Sequence, residues 1–197
     1  GFETSGISFF DIVTANSTTA GTLTGTALTD TFLLAADNEV KVKTTTFTGV
    51  ANVAGGNGDD EIIGAADQEW QLSGIDNQIT ANNIAFTAVE KATNGTVTGT
   101  SGIDAFTVSD EVGTENQVTA NAILFSNISS VTAGDNSDTV SGSNTWNLLS
   151  TGFETSGISF FDIVTANSAT AGTLTGTASA DRFLLVAGNQ LEVKTTT

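Results

Sequence analysis

A chain of 197 residues without a single cysteine, histidine, proline, methionine or tyrosine excludes several classes of protein before any pattern is sought. No disulfide framework, thiolate metal site or thiol nucleophile can be built, and the usual general base and transition-metal ligand are missing. Twenty-two acidic residues against five basic ones leave a net charge of -17, which sets nucleic acid and anionic membrane surfaces aside as partners. No run approaches the ~18 apolar residues of a membrane span, so no membrane insertion is expected. The first residues also lack the basic-then-apolar pattern of a signal peptide.

The chain opens on GFETSGISFFDIVTANS, and the same seventeen residues return unchanged from Gly152. At a shift of 151 residues the match runs on through GTLTGTA and FLL to VKTTT, with scattered changes such as Thr31 against Arg182. Residues 1–151 therefore read as one tandem unit and 152–197 as the start of the next. A pattern of this kind is expected to be a window on a longer array.

Inside the unit a shorter repeat begins near Phe9 and restarts near Phe47, Phe86 and Phe125, then at Phe160 at the head of the next unit. Three residues after each phenylalanine stands Ile12, Val50, Val89, Ile128 or Ile163, and six after it Ala15, Val53, Ala92, Val131 or Ala166. Two before it stands Ile7, Ile84, Ile123 or Ile158, with Thr45 as the exception. An aliphatic residue two places before a glycine follows, at Leu23, Ile62, Val97, Val140 and Leu174, and then a second aromatic, at Phe32, Trp70, Phe106, Trp146 and Phe183.

Short stretches such as Val40-Lys41-Val42-Lys43 and Thr96-Val97-Thr98-Gly99 alternate apolar with polar residues, the period-two signature of strands. Glycine and asparagine interrupt every candidate helix. These features predict an all-β fold, a β-solenoid (parallel β-helix) with about two coils per 38–39-residue module, continuous along the whole chain. The two aromatic series are expected to point inward and to form two ladders, each with a ring on every second coil. At ~4.8 Å per coil the 151-residue unit would then add roughly 38 Å.

The stretch from phenylalanine to glycine varies in length: it runs from Phe9 to Gly25, Phe47 to Gly64, Phe86 to Gly99, Phe125 to Gly142 and Phe160 to Gly176, and the third is the shortest. That short module, around Asn94-Gly95, lacks the acidic turn that its neighbours carry at Gly55–Asp60 and Gly134–Asp138. Such insertions gather on one side of a solenoid, and that edge is where binding is expected.

One acidic turn, Gly55-Gly56-Asn57-Gly58-Asp59-Asp60-Glu61-Ile62-Ile63, fits GGxGxDxUx and resembles the calcium-binding RTX repeats of secreted bacterial proteins. The resemblance implies calcium as a cofactor. Asp60 would be its side-chain ligand, Gly55, Asn57 and Gly58 would supply turn and carbonyl positions, and Ile62 would anchor the core. It covers nine residues and has no tandem partner: the stretches around Asp138 and Asp104 keep only part of it.

The whole chain, with its F-x-x-[IV] strands, GxD turns, [LIV]-x-G steps and near-identical units, resembles the β-solenoid stalks of giant bacterial surface and biofilm-matrix adhesins of the filamentous-haemagglutinin-like kind. That likeness implies an extracellular or cell-surface location and an extended stalk or matrix fibre. Its partners would be adjacent repeat units, neighbouring filaments or surface glycans. The alternative is a calcium-binding or glycan-binding repeat module that mediates adhesion. Catalysis is not expected. The adjacent acids Asp59-Asp60-Glu61 and Asp110-Glu111 are loop neighbours rather than a pair held across a groove, and an active site is a unique constellation, whereas this unit is copied nearly verbatim.

Overall fold

The computed structural model describes residues 2–4, 7–9, 11–109, 111–179, 181–187 and 190–195, with 2, 7–9, 184–187 and 190–195 described by backbone alone. Every regular element among them is a strand. Threonine, valine and isoleucine favour the pleated surface, and the predicted alternation appears directly in strands such as Glu69–Leu72, which is exposed and buried in turn.

The strands build two hydrogen-bonded ladders around one apolar core. In axial order the first ladder holds 14–16, 46–48, 39–42, 31–33, 61–63, 91–93, 124–126, 118–120, 105–107, 139–141 and 165–167. The second holds 22–24, 52–54, 85–87, 78–81, 69–72, 96–98, 130–132, 158–161, 153–155, 145–147 and 173–175. Long strands such as Thr14–Thr24 and Lys91–Thr98 run through both, turning the corner where the register shifts, as between Gly95 and Thr96. Parallel neighbours follow one another at about one coil of chain along both ladders, so the all-β solenoid is as expected.

Its internal pitch differs from the expected one. The shortest step between parallel neighbours runs from Thr139 to Thr165, and a step among the longest runs from Ala105 to Thr139. Even the shortest takes up most of a module, so a module does not make two coils. Part of each module is instead laid back as an antiparallel strand, at 39–42, 78–81, 118–120 and 153–155. These four strands fall alternately in the first and second ladder, so successive modules face opposite ways.

Because the parallel step is shorter than the module, like positions never stack. Phe32, Ile62, Ala92 and Phe125 lie side by side across four parallel strands, as do Trp70, Val97, Val131 and Phe160. Each column thus takes one residue from each of four modules and from each of four motif positions. The aromatics are interior as predicted: Phe32, Trp70, Phe86, Phe106, Phe125 and Phe160 are all at most 1% exposed. The two aromatic ladders do not form. Rings meet across the core, with Phe106 and Phe160 edge-on at 6.4 Å. Phe47 is half-buried, Phe183 is 45% exposed, and the side chains of Ile7 and Phe9 lie outside the described residues.

The strands of Phe47 and Phe125, two modules apart, sit five strand spacings apart in the first ladder. That is about 24 Å for two modules and about 48 Å for the 151-residue unit, longer than two coils per module would give. The junction between units is an ordinary part of the ladders: 158–161 pairs with 130–132, 165–167 with 139–141, and 173–175 with 145–147. Outside the ladders, Phe2–Thr4 with Ile7–Phe9 and Asp181–Ala187 with Gln190–Thr195 form separate two-stranded sheets.

Candidate functional site

The connections that cross from the second ladder to the first lie on one edge, and they carry the acidic turns 25–30, 55–60, 99–104 and 133–138; Gly176, Thr177 and Asp181 repeat the same residues ahead of the separate sheet. The expectation that these turns share an edge therefore holds. The turn that the short module lacks at Asn94-Gly95 is present in the same module at 99–104. Alternate modules face opposite ways, so the same edge is reached one connection later.

Close stacking of the turns leaves room only for glycine at the head of the turns that start at Gly25, Gly55 and Gly99. A Cβ on Gly55 would lie 2.0 Å from the Ala88 carbonyl oxygen, and one on Gly99 2.0 Å from that of Ala133. The closing aspartates then link successive turns. The Asp30 N–H donates to Asp60 Oδ1 at 2.7 Å, and the Asp60 N–H to Glu90 Oε2 at 2.8 Å. Asn77 Nδ2 in turn donates to Glu90 Oε1 at 2.7 Å. In the next stack the Asp104 N–H donates to Asp138 Oδ1 at 2.7 Å.

The turns come in two kinds. Where threonine follows the glycine, at Thr26, Thr100 and Thr177, its N–H and hydroxyl both donate to the closing Asp30, Asp104 or Asp181. Where glycine stands there instead, at Gly56 (φ 113°) and Gly134 (φ 99°), no such donors reach the carboxylate. Asp60 Oδ2 and Asp138 Oδ2 are then buried with no hydrogen-bond partner. Burial pushes the Asp60 carboxyl above the ordinary aspartate range; the Asp30 N–H opposes that rise, and the charges of Glu90, Asp30 and Asp59 add to it. Lys91 pairs with Asp59 on the surface, a contact worth little in high dielectric.

The nonapeptide residues are not gathered around one point. Asp60 is fully buried, while Gly56, Asn57, Gly58 and Asp59 are exposed. The Gly55 carbonyl oxygen lies against Gly25 of the preceding turn, 1.9 Å from where a Cβ there would be. A cation at Asp60 would find one free carboxylate oxygen, with the Ala88 carbonyl across the space beside Gly55. Calcium takes about six to eight oxygens, so solvent or a partner would have to supply most of the shell. Among the described residues no three acidic groups converge as a metal-binding cluster.

Of the other adjacent acids, Glu61 is half-buried and accepts a hydrogen bond from Thr93 Oγ1 at 2.8 Å. Glu111 is exposed, and Asp110 lies outside the described residues. Two surface depressions, of about 290 and 360 Å³, are lined around Gln71 and Asn83 and around Thr19 and Asn38, and neither holds a pair of carboxylates. Asp30 and Glu90, missed as site residues in the sequence, share a signal that could have found them: each stands 30 positions from Asp60, one before it and one after. No family model, curated protein or solved structure matches the chain.

Proposed function

We propose that this chain is a structural repeat segment of a large secreted or cell-surface bacterial filament or adhesin, serving as an extended stalk or matrix fibre without catalytic activity. The observation that carries the reading is the unit junction. Residues 158–175 of the second copy continue both ladders of the first with no break in strand pairing, so further units can be added without a linker. Calcium is not required for this role. The test is electron microscopy of a protein of three consecutive 151-residue units. Stiff rods of about 145 Å, by the strand spacing, are expected, and separate beads on linkers would overturn the stalk.

A second reading, a calcium-binding or glycan-binding module that mediates adhesion, is favoured by one observation, the buried and unpartnered Asp60 Oδ2. Millimolar calcium would then raise the melting temperature of the protein but not that of Asp60→Asn. Equal responses from both would remove calcium from that turn.

A further inference from the structure

We infer that Asn57 is a modification site, where the side-chain amide is lost through attack by the next backbone nitrogen and an acidic residue is left in its place. The sequence has two Asn-Gly pairs, Asn57-Gly58 and Asn94-Gly95. Glycine opens an asparagine to this reaction because it sets no side chain beside its own nitrogen and leaves the backbone free to turn. The Gly58 nitrogen forms a bond to Asn57 Cγ and gives up its proton. The Cγ–Nδ2 bond breaks, and the amide leaves with that proton as ammonia, so that a cyclic imide remains. Water then adds to either ring carbonyl and opens the imide to aspartate or isoaspartate. Water is taken up and ammonia released, with no other reactant.

The structure leaves one pair free and locks the other. Asn57 and Gly58 are both exposed, and among the described residues no hydrogen bond holds the Asn57 side chain or the Gly58 N–H. Asn57 also lies between two glycines of positive φ, Gly56 at 113° and Gly58 at 129°. Asn94, by contrast, is half-buried within the strand Lys91–Thr98. Its Nδ2 donates to the Gly64 carbonyl at 2.8 Å, its Oδ1 accepts from Asn127 Nδ2 at 2.7 Å, and its carbonyl accepts from Trp70 Nε1–H at 2.6 Å. Bringing Asn94 Cγ round to the Gly95 nitrogen would break both side-chain bonds. Gly95 itself is pressed so close on Gln68 that a Cβ there would stand 1.9 Å from the Gln68 carbonyl oxygen.

The turn 133–138 shows that the fold accepts the product. Aligned residue for residue with 55–60, it carries Asp135 where this turn has Asn57, and Asp135 is exposed in the same way. Conversion to aspartate thus makes the two turns more alike and adds a negative charge beside Asp59. Opening to isoaspartate instead adds a carbon to the main chain, in a turn where a Cβ on Gly58 would already stand 2.8 Å from the Leu28 carbonyl carbon. The chemistry needs only water, so the inference stands apart from the stalk and from the calcium or glycan reading.

Peptide mapping by tandem mass spectrometry tests it, on the 197-residue protein held folded in mildly alkaline buffer and sampled over weeks. The chain unfolded in guanidinium and incubated alongside is the reference, because both pairs are free there. In the folded protein Asn57 should convert to aspartate and isoaspartate at close to its unfolded rate. Asn94 should lag behind its own unfolded rate by about ten-fold or more, since its bonds must open first. Asn57 intact in the folded protein while it reacts in the unfolded chain overturns the inference. Equal conversion of the two asparagines in the folded protein also overturns it, since sequence and not structure would then decide.

Discussion

Asp104 Oδ2 accepts from both the N–H and the hydroxyl of Thr100, whereas Asp60 Oδ2 is buried without a partner, although both aspartates close turns on the same edge. The difference has a measurable pH signature. Below the ordinary aspartate value of 3.8, Asp60 carries its proton in the folded and the unfolded chain alike, and its full contribution to stability is present. That contribution is lost as pH rises through the raised folded value, where ionisation is resisted by burial and by Glu90, Asp30 and Asp59. Asp60→Asn, uncharged throughout, should therefore gain in melting temperature relative to the unaltered protein as pH rises through the acidic range above 3.8. A difference that stays flat across that range would mean that Asp60 ionises freely. Gly99→Ala should cost about 2–3 kcal/mol in urea denaturation, because its Cβ would also stand 2.8 Å from Asp104 Oδ2. Gly102→Ala, whose Cβ meets only Thr100 Oγ1 at 3.3 Å, should stay within about 0.5 kcal/mol. The glycines and aspartates of these turns were legible as residues. Their pairing was not, since Asp30, Asp60 and Glu90 meet only once the step between parallel strands is known.

At the scale of the strand, three of the four returning strands are preceded by an asparagine with positive φ, Asn38, Asn77 or Asn116, and the fourth by Gly152. The asparagine N–H groups donate to the carbonyls of Asn82, Asn121 and Ser156, and the asparagine carbonyls accept from Val50, Val89 and Ile128. Asparagine tolerates this backbone region better than other residues with a side chain. The F-x-x-[IV] pattern is thereby explained twice over, since its last residue fills the core and ties the strand to the hairpin of the module before. The sequence carried the apolar half of that pattern. The asparagine half recurs behind an acid in three of the four modules, as Asp37-Asn38, Asp76-Asn77 and Glu115-Asn116, but was masked by the abundance of polar residues in every loop. Trp70 offers the sharpest test at this scale. It is fully buried, and its Nε1–H donates to the Asn94 carbonyl at 2.6 Å. Trp70→Ala should cost about 4 kcal/mol, and Trp70→Phe about 1–2 kcal/mol by stranding that carbonyl, both read from denaturant midpoints.

For the whole molecule, the class of fold followed from period-two strands, repeat length and the absence of helix signals. The pitch did not, because nothing in the spacing from one phenylalanine to the next reveals how much of it is spent on a returning strand. Alternation of modules between ladders gives a counterintuitive expectation. Deleting residues 47–124, two modules, keeps the acidic turns on their edge. Both deletions remove Asp104, the donor to Asp138; the larger one brings the Asp30 turn into its place, whereas deleting 86–124, one module, moves every later acidic turn to the opposite edge and leaves Asp138 without a replacement donor. The smaller deletion should therefore melt at the lower temperature, and a reversed order would refute the alternation.

The staggered columns also bear on how such a rod would break. Successive modules overlap along the axis: strands 105–107 and 118–120 of one module lie beyond strand 124–126 of the next in the first ladder. No cross-section separates one module cleanly from its neighbour. The backbone is spliced in the way short fibres are spun into yarn, each held by the overlap of others. A protease that cuts one exposed turn should then leave two fragments on a denaturing gel and an unshortened particle in the microscope, so that damage is tolerated until several nearby turns are cut.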